Sequence, residues 1–151
     1  MRVLRRLRLP ARHDQLAHFA GAAAEAAHAV GLSDLYADRL ELAVDEACAN
    51  IIDHAYAGRA GEIEMEIVLL VDQALVVTLI DEGLPFALPE RAAPVRPRDA
   101  ADAPIGGQGL HIIRASVSEA RWEPGVVLAD GRRVNRLTLR RDLPPRRGGA
   151  A

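Results

Sequence analysis

Lysine is missing altogether: all 19 cationic residues of the 151-residue chain are arginine. Against 21 acidic residues they leave a formal net charge of -2, which argues against a dedicated nucleic-acid binder and so against direct nucleic-acid contact. Arginine clusters at both ends, in Arg2 to Arg8 and Arg140 to Arg147, but patches of that size usually serve solubility. Cysteine is nearly missing. The single Cys48 excludes an internal disulfide framework and any multi-cysteine metal site, and its place between Ala47 and Ala49 suits a buried, inert thiol. Long apolar runs are a third absence. The segment MRVLRRLRLP carries charge but no apolar run of signal-peptide length, and no stretch would span a membrane. The chain therefore reads as cytoplasmic and soluble, with no membrane partner. What is present is a core: 50% hydrophobic residues over this length suit one domain and leave little for a second.

Val3, Leu7 and Leu9 between arginines predict a short first strand closed by Pro10. The spacing of Leu16, Phe19, Ala20, Ala23, Ala27 and Val30 predicts a helix over 14–30, stopped by Gly31. Ser33 then caps a second helix from Asp34 to about Tyr56, with Leu40, Ala43, Val44, Ala47, Ile51 and Ile52 as its core face and Gly58 and Gly61 at its end. Ile63, Met65, Ile67, Leu69 and Val71 alternate with Glu62, Glu64 and Glu66, which marks a strand with one polar face. A turn at Asp72-Gln73 leads to a more buried strand, Ala74 to Ile80, which stops at Asp81-Glu82-Gly83. From Leu84 to Ile105, Pro85, Pro89, Pro94, Pro97 and Pro104 forbid regular structure, and a loop of that length is more often a lid or binding loop than an accident. Leu110 to about Val117 reads as a short helix. Strands from about Glu119 through Trp122 and from Val134 to Leu139, joined through Asp130-Gly131, close the domain. Strand pairs joined by short turns imply the α+β class: a two-layer α/β sandwich with a mixed, mainly antiparallel sheet and helices on one face. The domain is expected over 1–142, and 143–151 has the composition of a disordered tail.

Within the second helix Glu46, Asn50 and His54 recur every four residues, placing a carboxylate, a carboxamide and an imidazole in line. Alone, such a line is ordinarily the solvated stripe of an amphipathic helix. Two later signals give it a context: D-x-G ending a buried strand, and G-G-x-G opening a helix. Glycines before a helix let backbone N–H groups approach an anion, and Gly106, Gly107 and Gly109 fit a phosphate cradle. A triphosphate arrives with Mg²⁺, which keeps most of its waters and takes one or two protein oxygens; Asn50 offers one. Glu46, a turn earlier, is placed to act as general base on a water or hydroxyl. Asp81 would accept from an exocyclic amine and Gly83 leaves room for a flat ring, which together describe an adenine site. A metal triad of Glu46, Asn50 and His54 is disfavoured, because carboxamides are poor ligands for the metals that histidine favours. His54 reads instead as a packed or capping residue near a helix end, His111 as a surface or rim residue, and Trp122 as a cross-strand packing residue.

Glu46-Ala-Cys-Ala-Asn50 with His54-Ala-Tyr56, then Asp81-Glu-Gly83-Leu-Pro85-Phe86, then Gly106-Gly-Gln-Gly109-Leu110, resemble in this order the three boxes of the anti-sigma factor serine/threonine kinases. Those belong to the superfamily of gyrase-type and histidine-kinase-type ATPases. The resemblance extends to Asn135-Arg-Leu-Thr-Leu139, similar to the family's closing strand. It implies a histidine-kinase-like ATP-binding domain that phosphorylates a serine or threonine on a small anti-sigma-factor antagonist protein, otherwise sequesters a sigma factor, and works as a homodimer. By that likeness Glu46 is the catalytic base and Asn50 the Mg²⁺ ligand. Asp81 and Gly83 hold adenine, Gly107 and Gly109 lie against the phosphates of ATP, and Gly106 and Leu110 belong to the same nucleotide-binding set. Pro85 stands where the wider superfamily has glycine and matches the anti-sigma branch. The hairpin from Trp122 to Val134 is longer than the family usually has, which implies a changed partner surface. No histidine-bearing dimerisation helix pair precedes the domain, as a sensor kinase would require. Two rivals stay open: a module that works purely by sequestering a partner, and an ATPase with water as acceptor. Glu46 favours an enzyme, since sequestration needs no base there.

Overall fold

Alternating arginine and aliphatic residues extend β1 over Arg2–Pro10 in the computed structural model, which describes residues 1–86 and 112–145. A 3-10 turn at His13–Gln15 leads into α1 (Leu16–Ala29), and Gly31, at φ +84°, turns the chain without the strain a side chain would meet. Ser33 caps α2 (Asp34–Asn50), its hydroxyl accepting from the Tyr36 N–H at 3.4 Å. Alanine at 22, 23, 26 and 27 of α1 is buried, so the two helices pack closely. β2 (Glu62–Leu70) and β3 (Ala74–Asp81) form a hairpin whose turn holds Asp72 at φ +61° and leaves Val71 exposed. Residues 112–116 are helical. β4 (Glu119–Val127) and β5 (Arg133–Asp142) form a second hairpin around Gly131.

The strands lie in the order β1-β2-β3-β5-β4, and every ladder is antiparallel. The α+β sandwich is as the sequence implies, with the described sheet antiparallel throughout. Ile63, Met65 and Ile67 of β2, Leu75, Val77 and Leu79 of β3, and Leu137 and Leu139 of β5 share one core with the buried faces of both helices. The opposite sheet face carries cross-strand ion pairs such as Arg6–Glu66 at 2.8 Å and Arg136–Glu123 at 3.2 Å. Leu143 donates its N–H to the Gln73 carbonyl at 2.9 Å and packs against the core; residues 146–151 lie outside the described residues.

Two elements depart from expectation. The second helix does not run to Tyr56 with α-helical spacing. After Asn50 it widens into a π-helical segment, Ile51–Tyr56, ended by Ala57 in the left-handed region at φ +49° and Gly58 at φ +86°. The wider turn buries Ile51, Ile52, Ala55 and Tyr56 and leaves Asp53 and His54 exposed. Continued α-helical spacing would have carried His54 onto the buried stripe of Ala47 and Ile51. The polar line is thereby broken, and only Glu46 and Asn50 keep α-helical register. The second departure is β4, which continues past Trp122. Pro124 and Gly125 are absorbed as a bulge where pairing with β5 slips between Glu123 and Val126, with Gly125 at φ +65°.

Candidate functional site

Inward positions of a core strand demand apolar side chains, and two of them here are polar. Asp81 follows Val77 and Leu79 onto the core face at the end of β3 and is 1% exposed; opposite it in register stands Asn135 of β5, equally buried. Asn135 Nδ2 donates to Asp81 Oδ1 at 2.8 Å and to the Gly83 carbonyl at 3.0 Å, while the Gly83 N–H donates to the same Oδ1 at 2.9 Å. Asn135 Oδ1 in turn accepts from the Gly125 N–H at 3.2 Å, in the bulge of β4. Both polar side-chain atoms of Asn135 are thus engaged, and one of its bonds orients Asp81. Asp81 Oδ2 is buried and, among the described residues, has no hydrogen-bond partner. Burial pushes the Asp81 carboxyl above the usual carboxylate range, opposed by the bonds from Asn135 and Gly83. A buried acceptor without a donor is costly, and a ligand amine is the group that would satisfy it.

Gly83 is required by packing. A Cβ there would lie 2.6 Å from the Ala55 carbonyl carbon and 2.7 Å from its oxygen, and the Leu84 N–H donates to that same oxygen at 2.8 Å. The π segment therefore leaves no room for a side chain at position 83. Tyr56 adds a second tie. Its hydroxyl donates to the Glu62 carbonyl at 2.5 Å and accepts from the Glu82 N–H at 3.0 Å, and its ring fills the space where a Gly61 Cβ would sit at 2.1 Å. The end of the helix is in this way bound to the strand end that carries Asp81.

Glu46 and Asn50 stand one turn apart on α2, both half-buried. Burial first, and the neighbouring Asp45 charge second, push the Glu46 carboxyl upward, the direction that makes it a better proton acceptor near neutral pH. Cys48 of the same helix is fully buried and burial pushes its thiol well up, as an inert residue requires. His54 belongs elsewhere: its ring centroid is 5.7 Å from Phe86, and Phe86 is 4.9 Å from Trp122, whose Nε1 donates to the Phe86 carbonyl at 3.1 Å. Trp122 pairs across the sheet with Leu137 and also secures the chain leaving Gly83. Arg141 Nη2 donates to the Ser116 carbonyl at 2.7 Å, with its guanidinium 4.6 Å from the Tyr36 ring, and so holds the helical residues 112–116 to β5.

Gly106, Gly107, Gly109, Leu110 and His111 lie outside the described residues, as does most of the proline-rich stretch. Among the described residues, Asp81 and Gly83 meet the end of the helix that carries Glu46 and Asn50, and the phosphate cradle rests on sequence. Among them too, no group of three or more His, Cys, Asp or Glu side chains could hold a metal ion, and no helix is long and apolar enough to cross a membrane. Reading by motif passed over Asn135 and Tyr56 as parts of the site. Asn135 carried a signal, since a carboxamide in phase with inward Leu137 and Leu139 has to find partners. Tyr56 stood in the first box, in His54-Ala-Tyr56, with no role attached to it.

Residues 9–135 match the model of the histidine kinase-like ATPase domain, a span that includes Glu46, Asn50, Asp81 and Asn135. The serine-protein kinase RsbW of Bacillus cereus (strain Q1) is 27% identical over 117 residues, covering 75% of this chain and 72% of that protein. The serine-protein kinase RsbW of Listeria monocytogenes serovar 1/2a is 29% identical over 136 residues, covering 85% and 86%. The three boxes, the antiparallel α+β sandwich and a match across most of the sequence agree: this chain belongs to the histidine kinase-like ATPase domain family.

Proposed function

We propose that this protein is an ATP-dependent serine/threonine kinase of the anti-sigma type, which phosphorylates a small antagonist protein and alternatively sequesters a sigma factor. The observation that carries the reading is Asp81 Oδ2, a buried acceptor on a carboxylate held in place by Asn135 and Gly83, with no donor among the described residues. An exocyclic amine such as that of adenine supplies the donor. The named relatives are serine-protein kinases, which supports the choice of a protein hydroxyl over water as acceptor. In this reading Gly106, Gly107 and Gly109, with Leu110, lie along the phosphates. Asn50 contributes one oxygen to Mg²⁺, which when bound would neutralise phosphate charge.

Glu46 takes the proton of the attacking hydroxyl as that oxygen bonds to the γ-phosphorus and the bond to the bridging oxygen breaks, releasing ADP. Its upward-shifted carboxyl suits the task. A homodimer in the cytoplasm completes the proposal. The test is incubation of the full chain with ATP, Mg²⁺ and the antagonist protein encoded beside it, with phosphoserine or phosphothreonine read by mass spectrometry. Transfer to the antagonist is expected. A Glu46→Gln protein should bind ATP with unchanged affinity and lose roughly 10²- to 10⁴-fold in turnover. Tight binding of the antagonist without phosphotransfer would leave sequestration alone; ATP hydrolysis without an acceptor would remove the kinase assignment.

A further inference from the structure

We infer that Tyr56 is a positioning residue, whose hydroxyl fixes the Asp81 end of the sheet against the helix that carries Glu46 and Asn50. Tyr56 is the last residue of the π segment and is 6% exposed. One oxygen joins three elements: its proton goes to the Glu62 carbonyl at the start of β2, and its lone pair receives the N–H of Glu82, the residue after Asp81. A hydroxyl used once as donor and once as acceptor has its direction fixed. Gly61 presses the ring from outside, since a Cβ there would overlap it. The π turns bury Ala55 and Tyr56 as consecutive residues, so the helix end meets the strand end at both the Ala55–Leu84 backbone bond and the Tyr56 hydroxyl.

The consequence rests on the ATP reading. A nucleotide that engages Asp81 with its base and Asn50 through its phosphates spans this seam, so its affinity depends on the two sides being held at a fixed separation before it arrives. A ligand that touches only the Asp81 side gains nothing from that rigidity. Tyr56 therefore acts through Asp81 and α2 and contributes selectively to the binding of the longer ligand.

Calorimetric titration of the full chain with Mg·ATP and, separately, with adenosine tests this in wild type, Tyr56→Phe and Gly61→Ala. Tyr56→Phe removes one oxygen and keeps the packed ring; Gly61→Ala keeps the oxygen and displaces the ring that carries it. Both variants should bind Mg·ATP about tenfold more weakly while adenosine affinity falls less than about threefold, the loss of one or two hydrogen bonds being felt only by the spanning ligand. Parallel losses for both ligands, or no loss for either, overturn the coupling and leave Tyr56 a packing residue. Failure of both variants to melt cooperatively does the same. A wild-type protein that binds neither ligand overturns the nucleotide reading itself, which separates the two failures.

Discussion

Among the described residues Asp81 is held by neutral donors: the carboxamide of Asn135 and one backbone N–H. That arrangement orients a carboxylate without compensating its charge, so in the absence of ligand the ionised form is a liability to the fold. The linkage follows from the direction of the shift. A carboxyl whose folded value lies above its unfolded value binds its proton more tightly when folded, so stability is lost as pH rises from the ordinary carboxylate range through the raised value, and stays lost above it. Asp81→Asn removes the charge while keeping the shape. At pH 7, without nucleotide, it should be more stable than wild type by roughly 1 kcal/mol in urea unfolding, and the wild-type decline across that pH window should vanish. Equal or lower stability of the variant would mean that the charge is compensated in the free protein. The residue itself was legible, as the acid of a D-x-G turn ending a buried strand. Its orientation was not, because that depends on Asn135, 54 residues away in sequence.

The seam between the helix end and the strand end shows where reading by element runs out. Ser33 and Gly31 mark helix limits through local chemistry, and both stand where they were expected. The π segment has no such local mark. Spacing of 3.6 residues and a wider turn both bury Ile51 and Ile52; they differ at 54–56, and that choice is made by the partners of Ala55 and Tyr56 on other elements. The strand expected to end near Trp122 likewise runs on to Val127, because a bulge in this edge strand absorbs Pro124. Gly83 tests the seam directly. Its Cβ would meet backbone atoms of Ala55, which cannot swing aside as the tip of a side chain can. Gly83→Ala should lower unfolding stability by roughly 2 kcal/mol even without any ligand, the expected scale for overpacking. A loss under about 0.5 kcal/mol, the range of neutral surface changes, would show that the π segment yields and that the seam is not tightly packed.

At the scale of the whole molecule the two hairpins were readable from turns and alternation, while the strand order β1-β2-β3-β5-β4 required deciding which strand of the second hairpin lies inside. Burial decides it: Val134, Asn135, Leu137 and Leu139 make β5 an inner strand, whereas β4 is half-exposed and carries a proline that an edge accepts. That order sets Asn135 opposite Asp81 and so builds the buried polar pair from β3 and β5. Because no described residue donates to Asp81 Oδ2, an adenine bound there as proposed would relieve the fold as well as engage the site. Thermal melting should therefore rise with ligand: Mg·ATP at about 100 times its dissociation constant adds about 2.7 kcal/mol by mass action. For a chain of this length that is roughly 5–10 °C. GTP, whose ring presents a carbonyl where adenine presents an amine, should give less than about a third of that shift at equal concentration, since it sets an acceptor against the buried oxygen. The Asp81→Asn protein should start from a higher melting temperature and show no ATP-dependent rise. Equal shifts for ATP and GTP, or a shift that survives in Asp81→Asn, would move base recognition away from Asp81 and with it the reason for burying an unpaired acceptor there.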